Sequence, residues 1–135
     1  MKIGYLKTQI VTVVTFALAV FFLLCTSHGY GDQLAHIDKA VQHLIAHVSQ
    51  SDLTFIRNDV RYTGKEASEH MQKKYAHFRD KIKTAEDFIE LCASRSLLSG
   101  RPYLVVNEKG EKISANEWLR TELMVYRASV ADESD

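Results

Sequence analysis

The sequence predicts a helix-rich α+β domain, in which about four helices pack on a small antiparallel sheet made of two hairpins. Three observations support this fold class. Apolar residues recur at the 3.6-residue spacing of an amphipathic helix from Leu34 to Val48. Two β-rich runs flank the dipeptide Asn58-Asp59, whose residues tolerate the positive φ of a tight hairpin turn. Three helix-start signatures complete the pattern, each a hydroxyl residue with an acidic residue three positions later.

The first 31 residues differ in kind from the rest of the chain. They contain Lys2 and Lys7 but no acidic residue, and residues 10–25 carry no charge. A short basic start, an apolar run and then small residues are typical of a secretory signal peptide. We therefore expect residues 1–31 to direct export to the periplasm, with only a transient membrane contact through this segment.

Cleavage of the signal peptide is expected between residues 27 and 32, where small side chains suit a signal peptidase. The alternative is an uncleaved N-terminal helix that anchors the protein in the membrane. The apolar run is shorter than the ~20 residues that a membrane-spanning helix usually needs, which favours the signal peptide. Lipidation at Cys25 is disfavoured because a bulky leucine precedes it where a small residue is needed.

The remaining chain is predicted to be one domain over residues 32–130, followed by a disordered acidic tail at 131–135. Its charge and its cysteine content limit the partners and the disulfides that it can have. The chain has 17 basic and 17 acidic residues, and loss of residues 1–31 removes two basic ones, leaving 15 against 17. A net charge of −2 gives no general attraction to nucleic acid, so nucleic-acid binding is not expected. Cys92 is then the one remaining cysteine, which excludes an internal disulfide. No cofactor is expected, because phosphate-binding glycine loops and nucleophile-elbow motifs are absent.

The hairpin comes directly after the first helix. With a two-residue loop at Asn58-Asp59, Phe55 is predicted to lie opposite Tyr62 and Arg57 opposite Val60. Leu53, Phe55, Val60 and Tyr62 are then expected to share a buried face.

The remaining elements follow from capping and turn signals. The three helix starts pair a hydroxyl with an acidic residue: Thr63 with Glu66, Thr84 with Asp87, and Ser114 with Glu117. Ser99-Gly100 is predicted to end the middle helix. Pro102 then begins a ribbon of two strands, Tyr103–Val106 and Glu111–Ile113.

The middle of the chain carries a family resemblance in an ordered series of short segments: Phe55-Ile56-Arg57-Asn58, Glu66-Ala67, His70-Met71, Thr84 to Ile89, Ala93 to Ser96, and Ser99 to Tyr103. Over this series the chain resembles a YfeK-like family of small exported bacterial proteins, classed as a domain of unknown function. The resemblance implies a periplasmic location in a Gram-negative cell and brings no activity, substrate or cofactor. Asn58-Asp59 departs from it, since an Asn-Gly turn is familiar there.

Three histidines of the first helix form one candidate site. At 100° per residue, His36, His43 and His47 project from a single stripe, and the i, i+4 spacing of the last two can place both rings on one metal ion. The stripe lies about 125° from the apolar face by the same geometry, and we see no Cys, Asp or Glu placed to complete a tetrahedral set. A solvated face is therefore the favoured interpretation, with metal binding as the alternative.

A second set of candidates surrounds the end of the middle helix. Arg95, Ser96, Ser99 and Arg101 gather hydroxyl and guanidinium groups within seven residues, which suits a carboxylate or phosphate. His70 is placed on the inward side of its helix, as a half-buried structural side chain or a ligand anchor. A basic stretch at residues 73–83, with five basic residues and one acidic, is interpreted as a solvated loop or an anion-binding surface.

No catalytic residue is assigned. The sequence favours a non-enzymatic periplasmic binding or interaction module for an envelope protein or an anionic envelope component. The alternatives are a small hydrolase, or a metal-handling protein, that uses His70 or the stripe of His36, His43 and His47. An interaction module predicts an exposed apolar or basic patch and no deep pocket, whereas an enzyme predicts that His70 lines a concave site with a second polar group within ~3 Å of it.

Overall fold

The computed structural model describes residues 28–132, apart from the side chains of residues 28–30 and 32. Most of the expected signal peptide, residues 1–27, lies outside the described residues. The helices and strands are α1 (His28–Gln50), β1 (Thr54–Arg57), β2 (Val60–Tyr62), α2 (Gly64–Phe78), α3 (Ala85–Phe88), β3 (Leu104–Val106), β4 (Lys112–Ser114) and α4 (Ala115–Asp132). The chain divides into two units, Met1–Ala35 and His36–Asp135. Of the first unit, the structure describes only the start of α1.

The four strands form one antiparallel sheet in the order β2-β1-β3-β4. β1 pairs with both β2 and β3, so the two hairpins predicted from the sequence join through β1 and β3. Phe55 lies opposite Val105 on this seam. The predicted α+β class, with four α-helices and a small antiparallel sheet, is confirmed.

The first hairpin turns at the predicted dipeptide. Asn58 and Asp59 have φ angles of 51° and 67°, the left-handed conformation that a two-residue turn requires. The predicted register is confirmed, with Phe55 opposite Tyr62 and Arg57 opposite Val60. The expected burial of Val60 is wrong, because this residue directly follows the turn on the edge strand and is 52% exposed.

The core lies between one face of the sheet and the helices. α1 contributes the predicted stripe, with Val41, Leu44 and Val48 fully buried, as its 3.6-residue period requires. Phe55 and Val105 meet this stripe from the sheet. Burial of such side chains contributes about 1.5–3 kcal/mol each to folding, so the core needs no disulfide.

The helix starts are confirmed at the predicted residues. Thr63 and Glu66 form a reciprocal capping box at the start of α2, and Thr84 with Asp87 forms another at α3. α4 begins directly after Ser114. α4 continues to Asp132, so the first two residues of the predicted tail are helical, whereas residues 133–135 lie outside the described range.

The middle helix ends earlier than predicted. After α3 the chain winds one π-helical turn at Ile89–Ala93 and then leaves the helix, well before Ser99. The reason lies in the backbone pairing that follows, since the carbonyl of Ser94 accepts a hydrogen bond from the amide of Tyr103 at 2.8 Å. The chain is thereby drawn out of the helix toward β3. No described helix has the length and apolar character that crossing a membrane requires.

Candidate functional site

His70 lines a cavity between α2 and the inner face of the first hairpin. The cavity has a volume of about 190 Å³, with walls from Phe55, Met71 and Tyr103 as well as polar side chains. His70 is half-buried, and its Nε2 atom lies 3.3 Å from the hydroxyl of Tyr103, within hydrogen-bonding distance. The inward position predicted for His70 is therefore confirmed, and a second polar group faces the same space, which is the arrangement that the hydrolase alternative predicts.

Arg57 and Tyr62 form the hairpin side of the cavity. Because side chains alternate along a strand, Arg57 shares the inner face with Phe55. An Nη2 hydrogen of Arg57 is donated to the hydroxyl of Tyr62 at 3.1 Å, and the guanidinium carbon lies 4.7 Å from the centre of the Tyr62 ring. This contact fixes the guanidinium group and leaves its other N–H groups available, since arginine carries five donors.

The charges that act on His70 come from Arg57 on the hairpin and from Lys73 and Lys74 on α2. Burial is the largest cause, followed by the charges of Arg57, Lys74 and Lys73, and together they lower the pKa of His70 from 6.5 to about 4. All three charged groups that act on this imidazole are cationic, so the ring is neutral at pH 7. A neutral imidazole and two phenol hydroxyls are hydrogen-bonding groups that carry no charge of their own.

Lys74 lies behind Tyr103 and is 6% exposed. Its ammonium donates to the carbonyl of Arg95 at 3.0 Å and lies 5.2 Å from the centre of the Tyr103 ring. Burial lowers the pKa of Lys74. The interpretation of residues 73–83 as a solvated loop is thus wrong for Lys74, because α2 continues through it and turns it inward beside Met71.

Two acidic residues, Glu66 and Glu69, also line the cavity. The Glu66 carboxylate is engaged at the start of α2, where it accepts hydrogen bonds from the amide and the hydroxyl of Thr63 at 2.8 and 2.9 Å. The Thr63 amide is the main reason that the pKa of Glu66 is lowered. Two carboxylates therefore share the lining of the cavity with the cationic side chains of Arg57 and Lys73.

The structure uses the predicted anion-binding residues Ser96, Ser99 and Arg101 to hold the first hairpin. The Ser99 hydroxyl donates to Oδ1 of Asn58 at 2.6 Å, and Nδ2 of Asn58 lies 3.4 Å from the Ser96 hydroxyl. Arg101 forms an ion pair with Asp59. The segment that follows the middle helix thus holds the positive-φ turn in place.

Arg95, the fourth member of that set, pairs elsewhere. Its Nη2 donates to Oε1 of Glu90 at 2.9 Å, and its side chain remains 61% exposed. The five candidate residues are thus divided in the structure: Ser96, Ser99 and Arg101 contact the hairpin turn. Arg95 pairs with Glu90, and His70 lines the cavity.

The histidine stripe of α1 lies partly against α4. Nε2 of His43 donates to Oε1 of Glu122 at 2.7 Å, and Nδ1 of His47 is 3.5 Å from the same oxygen. The His43 ring stacks on Tyr126 and the His47 ring lies against Trp118, with centroid distances of 4.4 and 4.6 Å.

The expectation that the whole stripe faces water is therefore wrong for His43 and His47, and it holds for His36, which is exposed. The sequence pattern omitted Glu122, because a helix 79 residues away in the chain supplies it. Within residues 28–132, no group of three or more His, Cys, Asp and Glu side chains is arranged to hold a metal ion.

Cys92 is fully buried in the core, and burial raises the pKa of its thiol to about 11. A thiolate is the reactive form of cysteine, so this side chain packs as a small apolar group.

Sequence reasoning missed Arg57 and Tyr103 as members of the site. Arg57 lies two positions after Phe55, so the predicted register puts a charged residue on the face that should be apolar. This departure from the alternation of apolar and polar residues could have identified Arg57 as a site residue. No sequence pattern identified Tyr103, because the start of the ribbon and the middle of α2 come together only in the folded chain.

Comparison with known proteins agrees with the family resemblance. The sequence profile of a "Family of unknown function (DUF5329)" matches residues 35–127. The "Uncharacterized protein YfeK" of Salmonella typhimurium (strain LT2) is 36% identical over 86 residues, which cover 63% of this chain and 72% of that protein. No solved structure matches the chain significantly. Because the profile spans the hairpin, the cavity and most of α4, the chain belongs to the DUF5329 family of unknown function.

Proposed function

We propose that this protein is an exported, non-enzymatic binding module whose cavity holds a small anionic group of an envelope molecule. The observation that carries the proposal is the convergence of Arg57, His70 and Tyr103 on one cavity. Carboxylates and phosphates are the groups that a fixed guanidinium and neighbouring hydroxyls recognise best.

The size of the cavity supports a ligand group smaller than a typical drug molecule. Its volume of about 190 Å³ is below the roughly 300–1,000 Å³ of sites that enclose drug-sized ligands. One carboxylate with a short apolar substituent, or one phosphate head group, is of suitable size. The wall formed by Phe55 and Met71 suits the apolar part of such a group.

The electrostatics favour binding over hydrolysis. General bases work best with a pKa near the operating pH, whereas the pKa of His70 is lowered to about 4, mainly by burial. The buried thiol of Cys92, with its raised pKa, is a poor nucleophile. A metal-handling role has less support, because the described histidines contact aromatic rings and a single carboxylate.

Calorimetric titration tests the anion site. The probes are N-acetyl-D-alanine for a carboxylate and glycerol 3-phosphate for a phosphate, each added to the wild-type protein and to Arg57→Gln. We expect one of the probes to bind, and the Arg57→Gln variant to weaken that binding at least tenfold. The preferred probe then identifies the ligand class.

Arg61→Gln is the matched control for this experiment. Arg61 belongs to the same hairpin but lies opposite Ile56, on the other face of the sheet, and is exposed. Equal loss of binding in Arg57→Gln and Arg61→Gln would contradict the proposal, because it would indicate a general charge effect. Absence of binding for both probes would contradict it as well.

Export is part of the same proposal and rests on the basic start and the uncharged run at residues 10–25. The intact mass of the C-terminally tagged protein, measured in the periplasmic, membrane and cytosolic fractions of a Gram-negative cell, tests it. A mass that corresponds to a chain starting between residues 28 and 32 supports a cleaved signal peptide. A chain that begins at Met1 and fractionates with the membrane supports the anchored alternative, and one that begins at Met1 in the cytosol contradicts export.

A further inference from the structure

The segment between the π-helical turn and β3 projects two adjacent leucines into solvent. Leu98 is 98% exposed and Leu97 is 62% exposed. Among the described side chains, Leu98 is the most exposed large apolar one. A turn that needed only to fold would be served equally well by polar residues. Exposed leucines side by side at the end of a projecting turn therefore suggest a contact outside the chain.

The turn that carries these leucines is braced from within. The amide of Ser96 donates to the carbonyl of Arg101, and the amide of Gly100 donates to the carbonyl of Ser96, both at 2.9 Å. Gly100 has a φ of 69°, which lets the chain reverse at this point. The Ser99 hydroxyl ties the turn to Asn58 of the hairpin. The backbone that carries the leucines is thus held in position, so little backbone conformational entropy is lost when they bind.

Two arginines flank the leucines, and the seven residues from 95 to 101 contain no acidic side chain. Arg95 and Arg101 each pair with one carboxylate, on Glu90 and Asp59, yet their side chains remain 61% and 59% exposed. Each guanidinium group has further N–H donors, which suit the phosphate groups of lipids.

We infer that Leu97 and Leu98 form a membrane-contacting tip, whose side chains enter the interface of a phospholipid bilayer while Arg95 and Arg101 contact the lipid phosphates. The small extent of the tip favours a bilayer over a protein partner. A standard protein interface uses roughly 20–30 residues on each side, which two leucines cannot supply. Attachment to a bilayer depends on the apolar area buried and on the attraction of cationic side chains to anionic lipids, and the tip offers both. This inference does not depend on the function proposed for the cavity.

Fluorescence quenching by brominated lipids tests contact at the tip directly. The full chain, as cells produce it, is prepared as Leu98→Trp and as Met124→Trp, and mixed with vesicles of phosphatidylethanolamine and phosphatidylglycerol that carry bromine on their acyl chains. Met124 is the matched control, since it is 64% exposed on α4. Quenching is expected for Leu98→Trp beyond the signal of the wild-type Trp118, and no additional quenching is expected for Met124→Trp.

Vesicle flotation provides the second measurement. The double variant Leu97→Ser with Leu98→Ser is expected to reduce the lipid-bound fraction at least threefold relative to the double variant Met124→Ser with Val125→Ser. Because all four side chains are exposed, both variants are expected to fold, which circular dichroism checks. Equal quenching at positions 98 and 124, or equal flotation of the two double variants, would overturn the inference. Crosslinking from position 98 to a protein, without lipid quenching, would also overturn it in favour of a protein partner.

Discussion

Tyr103 places its hydroxyl 3.3 Å from Nε2 of His70, and the two rings meet edge to face with centroids 6.1 Å apart. The contact joins the start of the ribbon to the middle of α2 and closes one side of the cavity. The ammonium group of Lys74 lies over the Tyr103 ring. In space, the Tyr103 phenol therefore lies between a buried cation and a neutral imidazole. Burial in this arrangement is the main cause of the low pKa of His70.

Stability is expected to fall as the pH is lowered from about 7 to about 4. The pKa of His70 is 6.5 when unperturbed and about 4 in the folded protein, mainly because of burial. Between these values the unfolded chain binds a proton that the folded chain excludes, so acid favours unfolding. After allowance for partial exposure of the ring, the loss is about 1–2 kcal/mol. Urea unfolding of wild type and of His70→Gln at pH 7 and pH 4.5 measures it.

The His70→Gln variant is expected to lose less stability between the two pH values than the wild type. Other titratable groups, such as Glu66 with its lowered pKa, are present in both proteins, so the difference between the two losses reports on His70. Identical losses in the two proteins would show that His70 keeps an ordinary pKa in the folded state.

Removal of a neighbouring cation is expected to raise the pKa of His70. Burial is the largest cause of its low value, followed by Arg57, Lys74 and Lys73 in that order. The pKa should therefore rise in Lys74→Met and rise further in Arg57→Gln, as measured by NMR titration of the imidazole ring. Lys81→Met, at an exposed lysine after α2, serves as the control and should leave the pKa unchanged. A pKa that does not respond to Arg57→Gln would refute the described cavity.

Gly64 is expected to tolerate no side chain. It is buried at the first turn of α2, and a Cβ atom there would overlap the carbonyl oxygens of Val48 and Ser51 at the end of α1. Backbone atoms cannot move aside as a flexible side chain does, so Gly64→Ala should destabilise the protein by about 2 kcal/mol or more. Thermal unfolding measures this effect, with Lys65→Ala at the exposed neighbouring position as the control. A melting temperature equal to that of the control would contradict the close approach of α1 and α2.

The hairpin turn is expected to depend on Asn58 more than on Asp59. Asn58→Ala removes the contacts with Ser96 and Ser99 and places alanine at a φ of 51°, which should cost about 1–2 kcal/mol. Asp59→Gly removes only an exposed ion pair with Arg101 and relieves a φ of 67°, so its effect should stay within about 0.5 kcal/mol. Chemical denaturation of both variants measures the two effects. Greater destabilisation by Asp59→Gly would show that the ion pair, rather than the amide contacts, holds the turn.

The sequence predicts well those helix starts and turns whose interacting residues lie close together in the chain. Thr63 with Glu66 and Thr84 with Asp87 form capping boxes because both partners lie within one helical turn. The turn at Asn58-Asp59 follows from the positive φ that these residues tolerate. The stripe from Val41 to Val48 is buried because its spacing matches the helical period.

Contacts between residues that lie far apart in the chain could not be predicted from the sequence. His43 and His47 were expected to face water, but α4 covers them with Glu122, Tyr126 and Trp118. The sequence predicts a middle helix that is too long. The hydrogen bond between Ser94 and Tyr103 that ends the helix is a tertiary contact, which local sequence does not reveal. For the same reason, His70 was identified as inward-facing, whereas its cavity partners on the hairpin and the ribbon were not.

The most direct test of the anion-binding cavity is the NMR signal of the His70 ring during titration with N-acetyl-D-alanine and with glycerol 3-phosphate. An anion held by Arg57 offsets the positive charge beside the imidazole, so the preferred probe should shift the ring resonances and raise the pKa of His70. The same probe should have no such effect in Arg57→Gln. If saturating amounts of both probes leave the His70 resonances of the wild-type protein unchanged, the cavity does not bind the anionic group that we propose.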